Sequence, residues 1–234
     1  MSKGADGRRW LPLALLLVAA CLVYATGLHR SLSLDVLRIH RAQLQELVAA
    51  HPFAAPLAYV AVYAAAIALS VPGALVLTLS GGFLFGPWLG GFLAVVGATL
   101  GAVLVFLIAR SSLGASLRAG ARPWLRRLEA GFREDAFSYL LVLRLVPLFP
   151  FWLLNLVPAF LGVPLRTFAL ATLIGIAPAS LIFASVGNGL GAVLDRGEEP
   201  DLGLVLEPSI LLPLLGLAAL ALLPALYRRY RRGA

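Results

Sequence analysis

The sequence predicts an all-α polytopic membrane protein with about four transmembrane helices plus two opposed re-entrant hairpins arranged as an inverted repeat. Three observations predict it. Of 234 residues, 61% are hydrophobic and only 13% are charged, about half the ~25% of an ordinary soluble domain and too few to cover a water-soluble globule of this length. Leu47 to Ala109 runs without a single Asp, Glu, Lys or Arg. Proline and glycine break both long apolar tracts at intervals too short for every piece to cross a bilayer core of ~30 Å.

The formal net charge is +8 and the pI near 10.5, values that in a soluble chain would suggest nucleic acid. Here the basic clusters, Arg118 to Arg133 and Arg228 to Arg232, adjoin apolar runs, the pattern of cytoplasmic loops against anionic lipid. Membrane lipids are therefore the expected partners, nucleic acid is not, and a homo-oligomer is compatible with the pattern. The single Cys21 excludes an internal disulfide and a cysteine-based metal centre.

Residues 1–28 read as an N-terminal transmembrane helix over Trp10 to Leu28, behind a segment holding Lys3, Arg8 and Arg9. A cleaved signal is the alternative, since Val18-Ala19-Ala20-Cys21 resembles a lipobox. Residues 29–55 read as an interfacial outer segment, with Leu34, Leu37, Leu44, Leu47 and Val48 at loose helical spacing among polar residues. His29, His40 and His51 recur every eleven residues, but nothing completes a ligand shell and no metal is expected.

Residues 56–189 form the membrane domain, with two hairpin repeats. If the first helix runs outward and the arginine-rich loop after Ala109 is inside, the uncharged tract crosses an odd number of times. The piece from Pro72 to Gly86 is too short to span alone, so one crossing plus a hairpin fits. The hairpin-forming residues are Pro72, Gly73, Gly81, Gly82, Gly86 and Pro87. A second hairpin follows, broken at Pro147 and Pro150, and then a helix from about Thr167 to Gly189. An acidic outer loop (190–207) and a C-terminal helix with a basic tail (208–234) complete the chain. Pro72 precedes Gly97 by the same 25 residues that separate Pro150 from Gly175, as an inverted repeat would have it.

Arg144 is the most informative charge, with eight uncharged residues before it and twenty-one after. At the bilayer centre an arginine costs about 2.5–3.5 kcal/mol or more, so it must face a cavity, meet an anion such as a lipid phosphate, or snorkel to the interface. Asn155 reads either as a cap of the hairpin turn or as a second headgroup ligand. Around Pro123, Leu117, Ala121, Trp124, Leu125, Leu128 and Phe132 form an apolar stripe beside Arg118, Arg122 and Arg126, an amphipathic helix for the inner leaflet. No Gly-x-Ser-x-Gly, phosphate loop with lysine or His-Glu-x-x-His is present, so neither an enzyme nor a cofactor is expected.

Ser70-Val71-Pro72-Gly73, Leu79-Ser80-Gly81-Gly82-Phe83-Leu84-Phe85-Gly86-Pro87-Trp88, Gly97-Ala98-Thr99-Leu100-Gly101 and Leu143-Arg144-Leu145-Val146-Pro147-Leu148-Phe149-Pro150 with Asn155 together resemble the VTT domain of SNARE-associated Golgi proteins, within the DedA-like superfamily and closer to its Tvp-type bacterial branch. The resemblance covers about Pro56 to Gly189. It implies two opposed re-entrant hairpins and movement of phospholipids or polyprenyl phosphates between leaflets, with Arg144 on the family's arginine. Two features depart from the proton-coupled members: no acid lies between Glu46 and Arg110, and Pro150 stands where a second arginine is expected. The reading is a lipid translocase or scramblase in the cell membrane with both termini cytoplasmic. A small-solute or ion transporter and a membrane scaffold or assembly factor are the alternatives.

Overall fold

The computed structural model describes residues 39–71, 73–113, 122–145 and 150–195, with the single positions 18 and 208. The expected N-terminal helix, Pro72, Arg118, Pro147, the acidic loop beyond residue 195 and the C-terminal helix lie outside the described residues, apart from those two positions. Among the described residues the chain is all α-helical.

Helix α1 (Arg41–Ala50) and helix α2 (Ala54–Ala68) meet at a bend of 118° beside Pro52, so the polar α1 leaves the axis of the apolar α2. Helix α2 ends in a Schellman motif, Val71 N–H bonding Ala66 O at 2.9 Å and Ser70 N–H bonding Ile67 O at 3.0 Å. The left-handed position of that motif is held by Ser70, at φ 53°, where glycine is the usual residue. Gly73 then opens helix α3 (Ala74–Phe85).

Gly86, at φ 80° and ψ 171°, turns the chain into helix α4 (Pro87–Ile108), with Pro87 in its first turn. A π-helical turn, Ala109–Leu113, extends it. The apolar stretch Pro87–Ser111 has 25 residues, about 37 Å, and its exposed Trp88, Phe92, Leu100, Leu104 and Leu107 form one face suited to lipid.

Helix α5 (Arg122–Leu145) is interrupted at Asp135, where φ is −152° and ψ 91°. Its carboxylate accepts the backbone N–H of Ser138 at 3.1 Å, capping the second segment as an N-cap residue does. Arg122 and Arg126 stand on the first segment. Pro150 precedes helix α6 (Phe151–Phe160), which closes with a second Schellman motif: Val163 N–H to Pro158 O at 3.0 Å and Gly162 N–H to Ala159 O at 3.4 Å, with Gly162 at φ 74°. Helix α7 (Leu165–Asp195) follows. It is longer at both ends than the sequence suggests, and its apolar stretch Leu165–Gly191 of 27 residues is about 40 Å long.

Helices α4 and α7 are antiparallel. Gly91 approaches Leu181 while Phe106 stacks on Phe168 at 4.4 Å, so as numbers rise on one helix they fall on the other. Each inner arm packs against the long helix of the other half: α3 on α7, and α6 on α4. Gly81 and Gly82 correct the sequence reading here. They lie inside α3 and not at a break. A Cβ on Gly82 would collide with the backbone of Ala184, and one on Gly81 with the Tyr59 ring, so their role is to admit neighbours at backbone distance. One core surrounds Tyr63, Ile67, Leu77 and Leu93, and the other surrounds Phe106, Leu140, Val157 and Phe168.

Candidate functional site: a buried guanidinium where the halves meet

Arg144 occupies the last turn of α5. Gly175 of α7 faces it, and a Cβ there would lie 2.5 Å from Arg144 Cβ, so the missing side chain is what lets the arginine stem lie along α7. Gly175 is three residues from the middle of the apolar stretch Leu165–Gly191, about 5 Å from its centre. The guanidinium is enclosed. Its Cζ lies 4.5 Å from the Phe151 ring centroid and 5.5 Å from that of Phe168, and the residue is 7% exposed.

Nη2 donates to Asn155 Oδ1 at 2.6 Å and, at 3.5 Å, to Leu154 O. Asn155 therefore sits in the second turn of α6, 1% exposed, as the acceptor for Arg144; the hairpin turn it is expected to cap, residues 146–149, lies outside the described residues. Among the described residues, Nε and Nη1 have no hydrogen-bond partner. The aromatic faces attract the cation but do not accept those N–H groups as an oxygen would, and donors left unpaired in a low-dielectric interior are costly.

The first half contains the same arrangement with different chemistry. Tyr63 on α2 packs against Gly97 of α4, where a Cβ would lie 2.7 Å from Tyr63 Cβ. Its hydroxyl meets Thr78 Oγ1 of α3 at 2.9 Å and donates to Ala74 O at 3.2 Å, while Tyr59 donates to Leu77 O at 2.7 Å. In each half, an outer-arm side chain is wedged on a glycine of the following long helix and bonded to a polar group of the inner arm. Gly97 and Gly175 are the two positions that the 25-residue register pairs. The first of these centres is neutral and satisfied; the second is charged and incompletely satisfied.

Sequence reasoning singled out neither Phe151 and Phe168 nor Tyr59, Tyr63, Thr99 and Thr172 as site residues. Tyr59 and Tyr63 were detectable as polar tips four residues apart in an uncharged tract. Thr172 carried no such signal, and Thr99 entered only as a member of the Gly97-to-Gly101 motif. Both are buried, and among the described residues their hydroxyl oxygens have no partner.

Long apolar helices around a buried cationic centre, with paired broken arms, define an all-α transmembrane protein built from two like halves. The chain belongs to the VTT domain family, whose model matches residues 71–189. It is 31% identical over 176 residues to Transmembrane protein 41B of Gallus gallus, an alignment covering 74% of this chain and 63% of that one. The Mus musculus protein of the same name is 30% identical, with 74% and 58% covered, and that of Xenopus tropicalis 31%, with 74% and 61%. The chain thus spans about 60% of the length of these curated relatives. No solved structure matches it.

Proposed function

We propose that this protein is a lipid translocase or scramblase that passes phosphate-bearing headgroups of phospholipids or polyprenyl phosphates between leaflets, making and breaking no covalent bond. The observation that carries this reading is Arg144: a guanidinium within the span of α7, held on one side by Asn155 and unpaired on two nitrogens among the described residues. A lipid phosphate offers the oxygens those nitrogens lack, and guanidinium–phosphate pairing is strong and directional. Helices α3 and α6, of 12 and 10 residues, are about 18 and 15 Å long. They suit arms of re-entrant hairpins that shield a headgroup near the midplane, where irregular backbone is tolerated only against protein or water. The basic stretch Arg118 to Arg133 supports a cytoplasmic position for the start of α5, in the cell membrane and with both termini on that side.

The test is reconstitution of the full chain into vesicles with fluorescent phospholipid or polyprenyl phosphate in both leaflets, followed by quenching from outside. Wild type should expose the inner-leaflet label far faster than empty vesicles, and Arg144→Ala should lose most of that acceleration. Wild-type vesicles that behave as empty ones would refute the reading.

A further inference from the structure

Three buried or half-buried hydroxyls of this membrane domain bond back to their own helix. Thr78 donates to Ala74 O at 2.8 Å, Ser80 to Val76 O at 2.6 Å and Ser185 to Leu181 O at 2.8 Å, the i−4 bond that serine and threonine make in helices by default. Thr99 and Thr172 depart from this. They are 6% and 0% exposed, yet among the described residues neither Oγ1 has a partner. Neither hydroxyl is satisfied by its own helix, so both are available to a group brought to them.

Both fall near the level of Arg144 on the two long helices. On α7, Thr172 falls between the two positions that the arginine touches: Gly175, against which its Cβ packs, and Phe168, whose ring lies 5.5 Å from its Cζ. Residues three and four apart share a helix face, so Thr172 flanks the arginine stem. On α4, Thr99 stands two turns before Phe106, which stacks on Phe168. The antiparallel pairing of Gly91 with Leu181 and of Phe106 with Phe168 sets residue 99 level with residues 173–175 of α7. Three elements thus bring Nε, Nη1 and two hydroxyls, all buried, to one level of the α4/α7 crossing. Every one of these groups can donate, one is cationic, and no carboxylate belongs to the set.

We propose that Thr99 and Thr172 complete, with Arg144, a buried oxyanion site at this crossing, built for a tetrahedral phosphate group. This rests on the translocase reading for its choice of phosphate but not for its geometry. A phosphate presents several acceptor oxygens around one centre, which suits donors arriving from separate helices. The phosphate can belong to a lipid headgroup or be free in solution.

The site is tested by equilibrium binding, without transport, to the full chain purified in detergent, using radiolabelled inorganic phosphate in one arm and dihexanoyl phosphatidic acid in the other. Thr99→Val and Thr172→Val each remove a hydroxyl at nearly constant shape. Each should weaken binding roughly tenfold or more, as loss of a hydrogen bond to a charged group does, while leaving the unfolding midpoint unchanged; Thr172→Ser should restore binding. Binding of phosphatidic acid alone identifies a headgroup site, and equal binding of inorganic phosphate a solute site; either supports the proposal. It is overturned if wild type binds neither probe, if both valine variants bind as wild type does, or if they lose stability in proportion to binding, which would make the hydroxyls structural. Wild type that binds but does not accelerate lipid exchange would retain the site and remove the translocase reading. Wild type that accelerates exchange but binds neither probe would do the reverse.

Discussion

If the Arg144–Asn155 pair is retained for binding and not for folding, removing all of it should leave the protein at least as stable as before, whereas removing the acceptor alone should not. Arg144→Met keeps a flexible stem against Gly175 and deletes the guanidinium; Asn155→Leu repeats the branched skeleton of asparagine without its amide. Asn155→Leu takes the 2.6 Å acceptor from a buried cation and leaves only the 3.5 Å bond to Leu154 O. The expected loss is about 2–3 kcal/mol, that of a hydrogen bond to a charged group. Arg144→Met orphans Asn155 Oδ1, at a cost of about 1–3 kcal/mol, but also removes two nitrogens that lack partners among the described residues, each with a penalty of similar size. It should therefore lie within about 2 kcal/mol of wild type. The double variant leaves none of these groups unpaired and should equal wild type or exceed it by about 1–4 kcal/mol, as when apolar side chains replace buried charged groups. The assay is reversible unfolding of the full chain in mixed micelles with increasing sodium dodecyl sulfate, followed by circular dichroism. A double variant about 4 kcal/mol or more below wild type, with the single losses simply adding, would show the arginine to be structural and refute the reasoning.

Gly82→Ala places a methyl on the backbone of Ala184, which cannot rotate aside as a side chain would; α3 and α7 must part, and the same unfolding assay should show a loss of about 1–3 kcal/mol. Ser70→Gly relieves the left-handed backbone at φ 53°, where the residue is exposed, and should stabilise by about 0.5–1 kcal/mol. Hydrogen bonds from Ser138, its side chain before its backbone, hold the Asp135 carboxyl below the usual carboxylate range. That contribution is fully present above the unfolded value of about 3.9 and is lost as pH falls through the lower folded value. Asp135→Asn keeps a cap and should retain neutral-pH helicity while removing this acid-dependent step in circular dichroism.

The legible parts of this chain were those that composition and chain-breaking residues encode. The long helices α4 and α7 follow from uncharged length, and the breaks before α3, α4 and α6 from Gly73, Gly86-Pro87 and Pro150. The 25-residue register pairs Gly97 with Gly175, and the structure gives both the same task of receiving a side chain from a neighbouring helix. Gly81-Gly82 was misread because a glycine pair marks a turn in water, whereas in a helix bundle it marks close approach. The Asp135 interruption needed the Ser138 amide to be seen as its partner. The unpaired hydroxyls of Thr99 and Thr172 were not legible for a physical reason: a threonine bonded to a carbonyl of its own helix and one without that bond have the same sequence signature, and only the hydrogen bonds separate them.

The two halves share one mechanical plan and differ in how it is closed, and this gives the proposed translocation an order of steps to be tested. Thr78 and the residues just after it on α3 pack toward the C-terminal part of α7, where Leu79 meets Gly187 and Gly82 meets Ala184. Arg144 and Asn155 lie toward its N-terminal part, near Phe168. Under the proposed orientation, a headgroup arriving from the inner leaflet reaches the incompletely satisfied charged centre first and the satisfied Tyr63–Thr78 centre second. Tyr63→Phe removes the hydroxyl that joins Thr78 Oγ1 and Ala74 O while keeping the ring wedged on Gly97. If parting that junction limits passage, removing a hydrogen bond worth about 1 kcal/mol should accelerate exchange roughly fivefold, with phosphate binding at Arg144 unchanged. An exchange rate equal to or below wild type, in a protein that folds and binds normally, would show that the first half is a passive brace and that the barrier lies at the charged centre itself.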